Sequence, residues 1–340
     1  MNILVIIPTI RKFDGFKEYS KCFENYDVDV LIIGEIENTN TKTIPEGLFY
    51  GVRERKEWFK QRGLEKYEDL IPKKHHAEIS FGLLYALENR YDTILFLDDD
   101  TSPSSPTFLE RHIEVLTVEK HKLIAPKWIN PIKPTGYYPR GFPYSQRKGY
   151  DVKGIEAEVV INQGLWLDVL DLNAVDYLSY SQSVQPKWEY QNYIIPKGFY
   201  TTTCSMNISF RSEIIPAFYQ IPFTRYDDIW SGVILKRILD HLGKYMAFGE
   251  PFCVHQKYPR DPRKDIELEL EGHKINEVLY KIVDDIELSG KDYASCYLEL
   301  AEQIPIVSKR FLDDDSDFKI IKGFTEQIAK WVELCKAFNK

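Results

Sequence analysis

The apolar run Ile94–Leu97 stops abruptly at three consecutive aspartates, Asp98, Asp99 and Asp100, and this junction limits the folds open to the chain. Four apolar residues without alternation fit a strand covered on both faces, the kind found in the parallel sheets of α/β proteins. Such a strand can present carboxylates only beyond its end. Clustered carboxylates repel and raise each other's pKa, so burying them together needs a neutralising cation. In open α/β sheets the space beyond the strands' carboxyl ends is also where ligands bind. A hard divalent cation shared between one or two carboxylates and a ligand's phosphate oxygens meets both conditions. A strand that delivers Asp-x-Asp in this way is the arrangement expected of a nucleotide-sugar glycosyltransferase.

The flanking segments supply the rest of the sheet. Residues 3–7 and 28–33 read as strands, with a helical stretch near 16–24 between them. Residues 54–66 are charged and poorly patterned. Residues 78–89 carry Ile79, Leu83, Leu84 and Leu87 at helical spacing and lead into the aspartate strand. This βαβα order predicts an α/β fold with a mostly parallel open sheet and flanking helices. Residues 123–200 are dense in proline, glycine and aromatics and read as irregular strands and loops over a site. Strands are expected at 205–210 and 252–255, and an amphipathic helix at 230–242. After about Pro262 the pattern is helical, over 266–288, 293–304 and 318–338, punctuated by Gly290, Pro305 and a polar turn. The expected division is a nucleotide-sugar domain over 1–262 and a helical C-terminal subdomain over 263–340. The tail either packs on the core or serves a homo-oligomeric contact.

A second triplet, Asp313–Asp315, provides a control. It precedes a helix and reads as a solvated turn and N-cap. Three aspartates alone therefore carry little; the buried strand gives the first set its meaning.

Composition narrows the partners. With 340 residues the chain forms one large domain or two moderate ones. A net charge of −8, from 44 basic and 52 acidic residues, argues against non-specific nucleic-acid binding. The first apolar run is too short to span a membrane, and no Lys or Arg precedes it as in a signal peptide. The five cysteines are scattered without a CxxC pair, which argues against a disulfide framework or zinc site and for a reducing cytoplasm.

Several side chains are candidates for the chemistry. Pro8, Thr9 and Arg11 end the first strand, where a doubly wound sheet faces a nucleotide; Asp98 and Asp99 face it from the aspartate strand. Asp98, Asp100 and the strand-end His255 are candidate metal ligands, and neutral imidazole suits Mn²⁺ better than Mg²⁺. Arg140 and Arg147 sit in one Gly/Pro/aromatic loop. Their planar donor forks suit a pyrophosphate, and a loop with solvated arginines is the equal alternative. Asp227 and Asp228 open a helix, as caps or as a general base and sugar-hydroxyl acceptor. His75 and His76 lie in a charged stretch without such support.

Taken in order, the segments PTIR, LDDD, PRGFPYSQRKG, GLWLDVLDLNA, IPKG, CSMNISF, RYDDIWSG, DHLG and the histidine of FCVH resemble the reversibly glycosylated polypeptides, the UDP-arabinopyranose mutases. The resemblance runs from about residue 3 to 258. It implies a glycosyltransferase-A-like fold, a UDP-sugar donor and a divalent cation, Mn²⁺ or Mg²⁺. It also implies a flavin-free contraction of UDP-arabinopyranose to UDP-arabinofuranose. Arg140 matches the arginine that becomes glycosylated in that family, Arg147 the second arginine it needs, and Asp98–Asp100 its aspartate triplet. The chain departs at Gly34, Glu35 and Ile36, where members carry Asp-Gly-Asp for uridine, and at Asn162-Gln163, where a histidine is common. The expected activity is thus a metal-dependent UDP-sugar mutase, with reversible self-glycosylation at Arg140 as one route. The alternative is a glycosyltransferase acting on an external acceptor, and a non-catalytic nucleotide-sugar-binding partner is a third class.

Overall fold

In chain order the strands are β1 (Asn2–Thr9), β2 (Asp27–Gly34), β3 (Leu48–Tyr50), β4 (Thr93–Leu97), β5 (Thr101–Pro103), β6 (Lys120–Ala125), β7 (Asp151–Glu156), β8 (Val159–Asp168), β9 (Tyr193–Ile195), β10 (Asn207–Arg211) and β11 (Tyr245–His255). The helices are α1 (Lys17–Phe23), α2 (Val52–Gln61), α3 (Ser80–Asn89), α4 (Phe108–Thr117), α5 (Ala174–Ser179), α6 (Asp227–Leu242), α7 (Pro262–Leu270), α8 (His273–Asp284), α9 (Tyr293–Val307) and α10 (Asp315–Cys335). The computed structural model describes residues 1–10, 17–34, 47–117, 120–125, 128, 130, 132, 136–147, 151–179, 192–256 and 261–338. Arg11, Glu35 and Ile36 lie outside them.

The strands form one sheet in the order β3-β2-β1-β4-β10-β8-β11-β9-β6-β7, with β5 paired to β11. Its first half is parallel, as the βαβα pattern predicts: β2 and β4 both run parallel to β1. Beyond β4 the sheet is mixed, because β10 runs antiparallel to both β4 and β8, and β8 parallel to β11. This is an α/β fold of the glycosyltransferase-A-like kind. The reversal at β10 matters for the site. It sets the connection before β10 beside the carboxyl end of β4, so residues 203–206 face Asp98–Asp100; the Asp98 amide donates to the Met206 carbonyl at 3.3 Å.

Four segments differ from the sequence expectation. Residues 123–200 contain the central strand β8, buried from Val159 to Trp166. Its middle is Asn162-Gln163, which breaks the apolar pattern. Both amides are satisfied internally: Gln163 Nε2 donates to the carbonyls of Gly164, Cys204 and Asn207, and Asn162 Nδ2 to that of Glu250. Residues 52–61 form α2, whose inner face buries Trp58, Phe59 and an Arg55 paired with buried Glu78 at 2.8 Å. The charge that hid this helix is partly internal. The single helix expected over 266–288 is two, because Gly272 at φ +85° breaks it; a Cβ there would stand 2.8 Å from Thr224 Cγ2 and 2.9 Å from Trp230 Cη2. Pro305 lies inside α9 rather than ending it.

The tail triplet behaves as the control required: the Asp314 side chain accepts from the Ser316 amide and caps α10. Among the described residues no helix is long and apolar enough to cross a membrane. All five cysteines are buried and none forms a disulfide.

A buried histidine on α4 gives the fold a pH signature. His112 is 1% exposed, with Nε2 2.8 Å from Asn207 Oδ1 and Nδ1 2.8 Å from Ser209 Oγ. These partners fit the neutral ring, donating from Nε2 and accepting at Nδ1. Burial pulls its pKa down to about 4, against the hydrogen bond to Asn207. The unfolded ring titrates near 6.5, so the unfolded chain binds the extra proton first as pH falls. The stability concerned is whole above about pH 6.5, and about 3 kcal/mol of it disappears by pH 4. Urea midpoints measured from pH 7 to 4 should therefore fall more steeply for the native protein than for His112→Gln. Parallel curves would remove this explanation.

Candidate active site

A cavity of about 470 Å³ opens beyond the ends of β4 and β11, within the range of small-ligand sites. Among its lining residues are Asp98, Asp100, Arg140, Asp227, Asp228 and His255. Segments from eight parts of the chain meet there.

Strand β4 delivers the aspartates, and the three carboxylates separate in direction. Asp99 turns back to the first strand, accepting from Thr9 Oγ1 at 2.6 Å. Pro8, Thr9 and Asp99 are not among the residues that line the cavity. Asp98 Oδ1 lies 3.6 Å from His76 Nε2. Asp100 Oδ1 lies 3.9 Å from Nε2 of His255 at the end of β11. His255 Nδ1 meets the Val169 carbonyl at 2.8 Å. That contact requires a proton on Nδ1 and turns Nε2 toward Asp100, the orientation that second-sphere bonds impose on metal-binding imidazoles.

Among the described residues no three His, Cys, Asp or Glu side chains converge closely enough to hold a metal ion. The donor pair of Asp100 and His255 fits a divalent cation only with further oxygens from ligand or water. Asp98 shares the cavity but is engaged with His76.

The loop residue Arg140 is the cationic centre. It follows a bridge between Pro139 and Leu172, and its amide donates to the Asp171 carbonyl at 3.0 Å. The next residue, Gly141, has φ +80°, and a Cβ there would stand 2.4 Å from Ile229 Cδ1, so the turn needs glycine. The guanidinium reaches Asp171 Oδ2 (3.2 Å), Asp228 Oδ1 (3.4 Å) and the Arg225 carbonyl. Burial would lower its pKa, but the charges of Asp171 and Asp228 outweigh this and hold it well above the ordinary arginine value. Arg147 goes elsewhere. It pairs with Asp176 (3.2 Å) and lies over the rings of Tyr138 and Tyr144, 4.4 and 4.0 Å from their centroids, outside the cavity lining.

Asp227 and Asp228 occupy the first turn of α6, yet neither side chain caps that helix. Asp228 accepts from the Ser205 amide at 3.2 Å and from Arg140. Asp227 Oδ2 lies 3.2 Å from His76 Nδ1. Their environments drive the two carboxyls apart. Burial raises both, but His76, then His75 and Arg140, bring Asp227 below the usual carboxylate range. Asp228 stays above it, because burial and the neighbouring Asp227 charge outweigh Arg140. Such divergent pairs are how acid and base roles are divided in catalytic sites.

Three lining residues escape a reading of the sequence. His75 and His76 sit in a charged loop, and nothing local marks them; only the fold sets that loop against α6. Asp171 lies within GLWLDVLDLNA, where the motif was visible and the role was not. The cavity also reaches the tail: Leu268 and Glu271, on and just after α7, line one wall. Their helix is held there by Arg225–Asp265 at 3.2 Å and by Tyr226 Oη donating to the Glu269 carbonyl at 3.1 Å.

Known proteins bear the same stamp. A family model described as "Reversibly glycosylated polypeptide" matches residues 1–340. A protein of Arabidopsis thaliana named "UDP-arabinopyranose mutase 1" is 28% identical over 348 residues, covering 97% of this chain and 92% of its own length. "Probable UDP-arabinopyranose mutase 2" of Solanum tuberosum is 29% identical, covering 97% of this chain and 90% of its own. "UDP-arabinopyranose mutase 1" of Oryza sativa subsp. japonica is 28% identical with 97% and 90% covered.

Proposed function

The chain belongs to the reversibly glycosylated polypeptide family, and from that premise we propose that it is a UDP-sugar mutase interconverting UDP-arabinopyranose and UDP-arabinofuranose. The observation that carries this reading is the position of Arg140. It lies in one cavity with the Asp100–His255 pair and is held between two carboxylates, one of which, Asp228, is poised to exchange a proton.

The reaction moves no atoms on or off the donor. The bond from the anomeric carbon to the β-phosphate oxygen breaks with its electron pair on UDP, and a bond forms to an Arg140 nitrogen. Asp228, 3.4 Å from Nη2, takes the guanidinium proton; its raised pKa makes it a better base than an ordinary carboxylate. The nitrogen lone pair then opens the ring at O5, which gains a proton, and O4 closes on the anomeric carbon as it loses one. UDP reattacks, the C–N bond breaks, and Asp228 returns the proton. Asp227 lies on the same wall to hold a sugar hydroxyl. Asp100 and His255 are the residues to hold a divalent cation, which neutralises the diphosphate leaving group when bound.

One observation favours a second role for Arg140. Its proton is held well above the ordinary value, which suits a cation that stabilises the departing diphosphate without forming a bond. Mass spectrometry after incubation with UDP-arabinopyranose separates the two: a pentose on Arg140 supports the covalent route, and turnover without adduct supports the electrostatic one.

The activity itself is tested with purified protein, UDP-arabinopyranose and Mn²⁺. Furanose product is expected, and chelation by EDTA is expected to suppress it. Folded protein that yields no furanose sinks the mutase reading. Turnover that requires an added acceptor replaces it with a glycosyltransferase. A cytoplasmic location is part of the proposal, resting on buried thiols without disulfides.

A further inference from the structure

His76 makes a connection that the proposed chemistry has not used. Its loop is set by the neighbouring His75, whose Nδ1 accepts from the Ala77 amide at 3.1 Å and so opens the 3-10 turn His76–Ile79. The His76 ring then stands between two walls of the cavity. Nδ1 lies 3.2 Å from Asp227 Oδ2 on α6, and Nε2 lies 3.6 Å from Asp98 Oδ1 at the end of β4. His75 Nδ1 is 3.8 Å from the same Asp227 oxygen and already serves the Ala77 amide, so it donates nothing to Asp227. Among the described residues, the hydrogen bond to the Asp227 carboxylate comes from His76. Asp227 is 5% exposed and is followed directly by the equally buried Asp228. Two adjacent buried carboxylates repel, and without a tether the outer one swings toward water or the cation end.

We propose that His76 is a positioning residue for the sugar end of the site, fixing the Asp227 carboxylate toward the donor's sugar by bridging it to Asp98. The inference rests on the mutase reading for the identity of the donor. It acts through Asp227, so its signature is selective. In the proposed chemistry Asp227 serves the sugar and not the UDP portion.

The test compares two titrations, UDP-arabinopyranose and UDP alone, on wild type, His76→Ala and His76→Asn. Loss of one hydrogen bond to a charged group predicts a roughly tenfold weaker donor in His76→Ala, with UDP changed less than about twofold. Asparagine places its amide nitrogen close to where imidazole carries Nδ1, so His76→Asn keeps the Asp227 bond without the Asp98 end and should recover part of the donor affinity. Melting curves run alongside, and if the alanine variant does not fold, His76→Gln takes its place with the same expected loss, because its amide reaches the Nε2 position beside Asp98 and not the Nδ1 position beside Asp227. An unchanged donor-to-UDP ratio in His76→Ala, equal losses for both ligands, or an asparagine variant no better than alanine overturns the proposal. The mutase reading fails separately, through absent furanose product in the wild type, and that outcome leaves the two binding ratios readable.

Discussion

Arg140→Ala is expected to abolish furanose formation and to destabilise the fold by about 3–5 kcal/mol, the usual result of removing one partner from a buried ion pair. The reason lies in what remains. Asp171 and Asp228 are 8% and 4% exposed, and the guanidinium is the cation that both share. Without it, two buried carboxyls lose their counter-charge, and the Asp228 carboxyl, already raised by burial, is pushed further up. A carboxyl with a folded pKa above its unfolded value gives stability at low pH that is lost as pH rises. The defect of Arg140→Ala should therefore shrink toward pH 5 and grow toward pH 8. Urea midpoints across that range check the sign. Arg140→Lys separates the two roles: an ammonium restores charge between the carboxylates and much of the stability. It cannot also reach the Arg225 carbonyl in the fork geometry, so turnover stays lost. A stable Arg140→Ala protein with normal turnover would contradict the whole construction of the site.

Much of this site was legible before the fold was known, and the limits of legibility are physical. Asp98–Asp100 announced themselves because Thr93–Leu97 is uninterrupted and fully buried, so a carboxylate triplet could only lie at its end. Asp227 and Asp228 stood out at a helix start, and Arg140 in a Gly/Pro/aromatic loop that could equally have been surface with solvated arginines. What the string could not express was direction. Asp98, Asp99 and Asp100 are consecutive, yet they face His76, Thr9 and His255 in turn. Arg147 shares its loop with Arg140 but is drawn away by Asp176 and two tyrosines. His76 is the converse case. Its role exists only because β10 reverses the sheet and brings α6 across from β4. Strand β8 was hidden for a different reason: a buried Asn-Gln pair is apolar in its energetics, with every amide satisfied, while polar in its letters.

The second large effect is expected outside the cavity lining, at Trp331→Ala, with a loss of about 3–5 kcal/mol in a single unfolding transition. Trp331 is fully buried on α10, stacked on Tyr219 with centroids 5.0 Å apart, and its Nε1 donates to the Ile215 carbonyl at 3.1 Å. Tyr219 in turn donates to the Leu70 carbonyl at 2.6 Å and lies 3.0 Å from Gln327 Oε1 on the same tail helix. The chain after residue 262 is thus bonded to the segment after β10 and, through Lys66–Glu333 at 3.0 Å, to the one before α3, and its apolar side chains join the sheet's own in one continuous cluster. An autonomous helical subdomain would melt by itself and leave a working mutase behind. This packing predicts the opposite: helix signal, tryptophan fluorescence and furanose formation should fall together with urea, and the variant should shift the three midpoints equally. The cavity wall formed by Leu268 and Glu271 gives the coupling its functional side, since a loosened tail also opens the site. Two separated transitions, with activity surviving the first, would restore the tail to the status of an appendage.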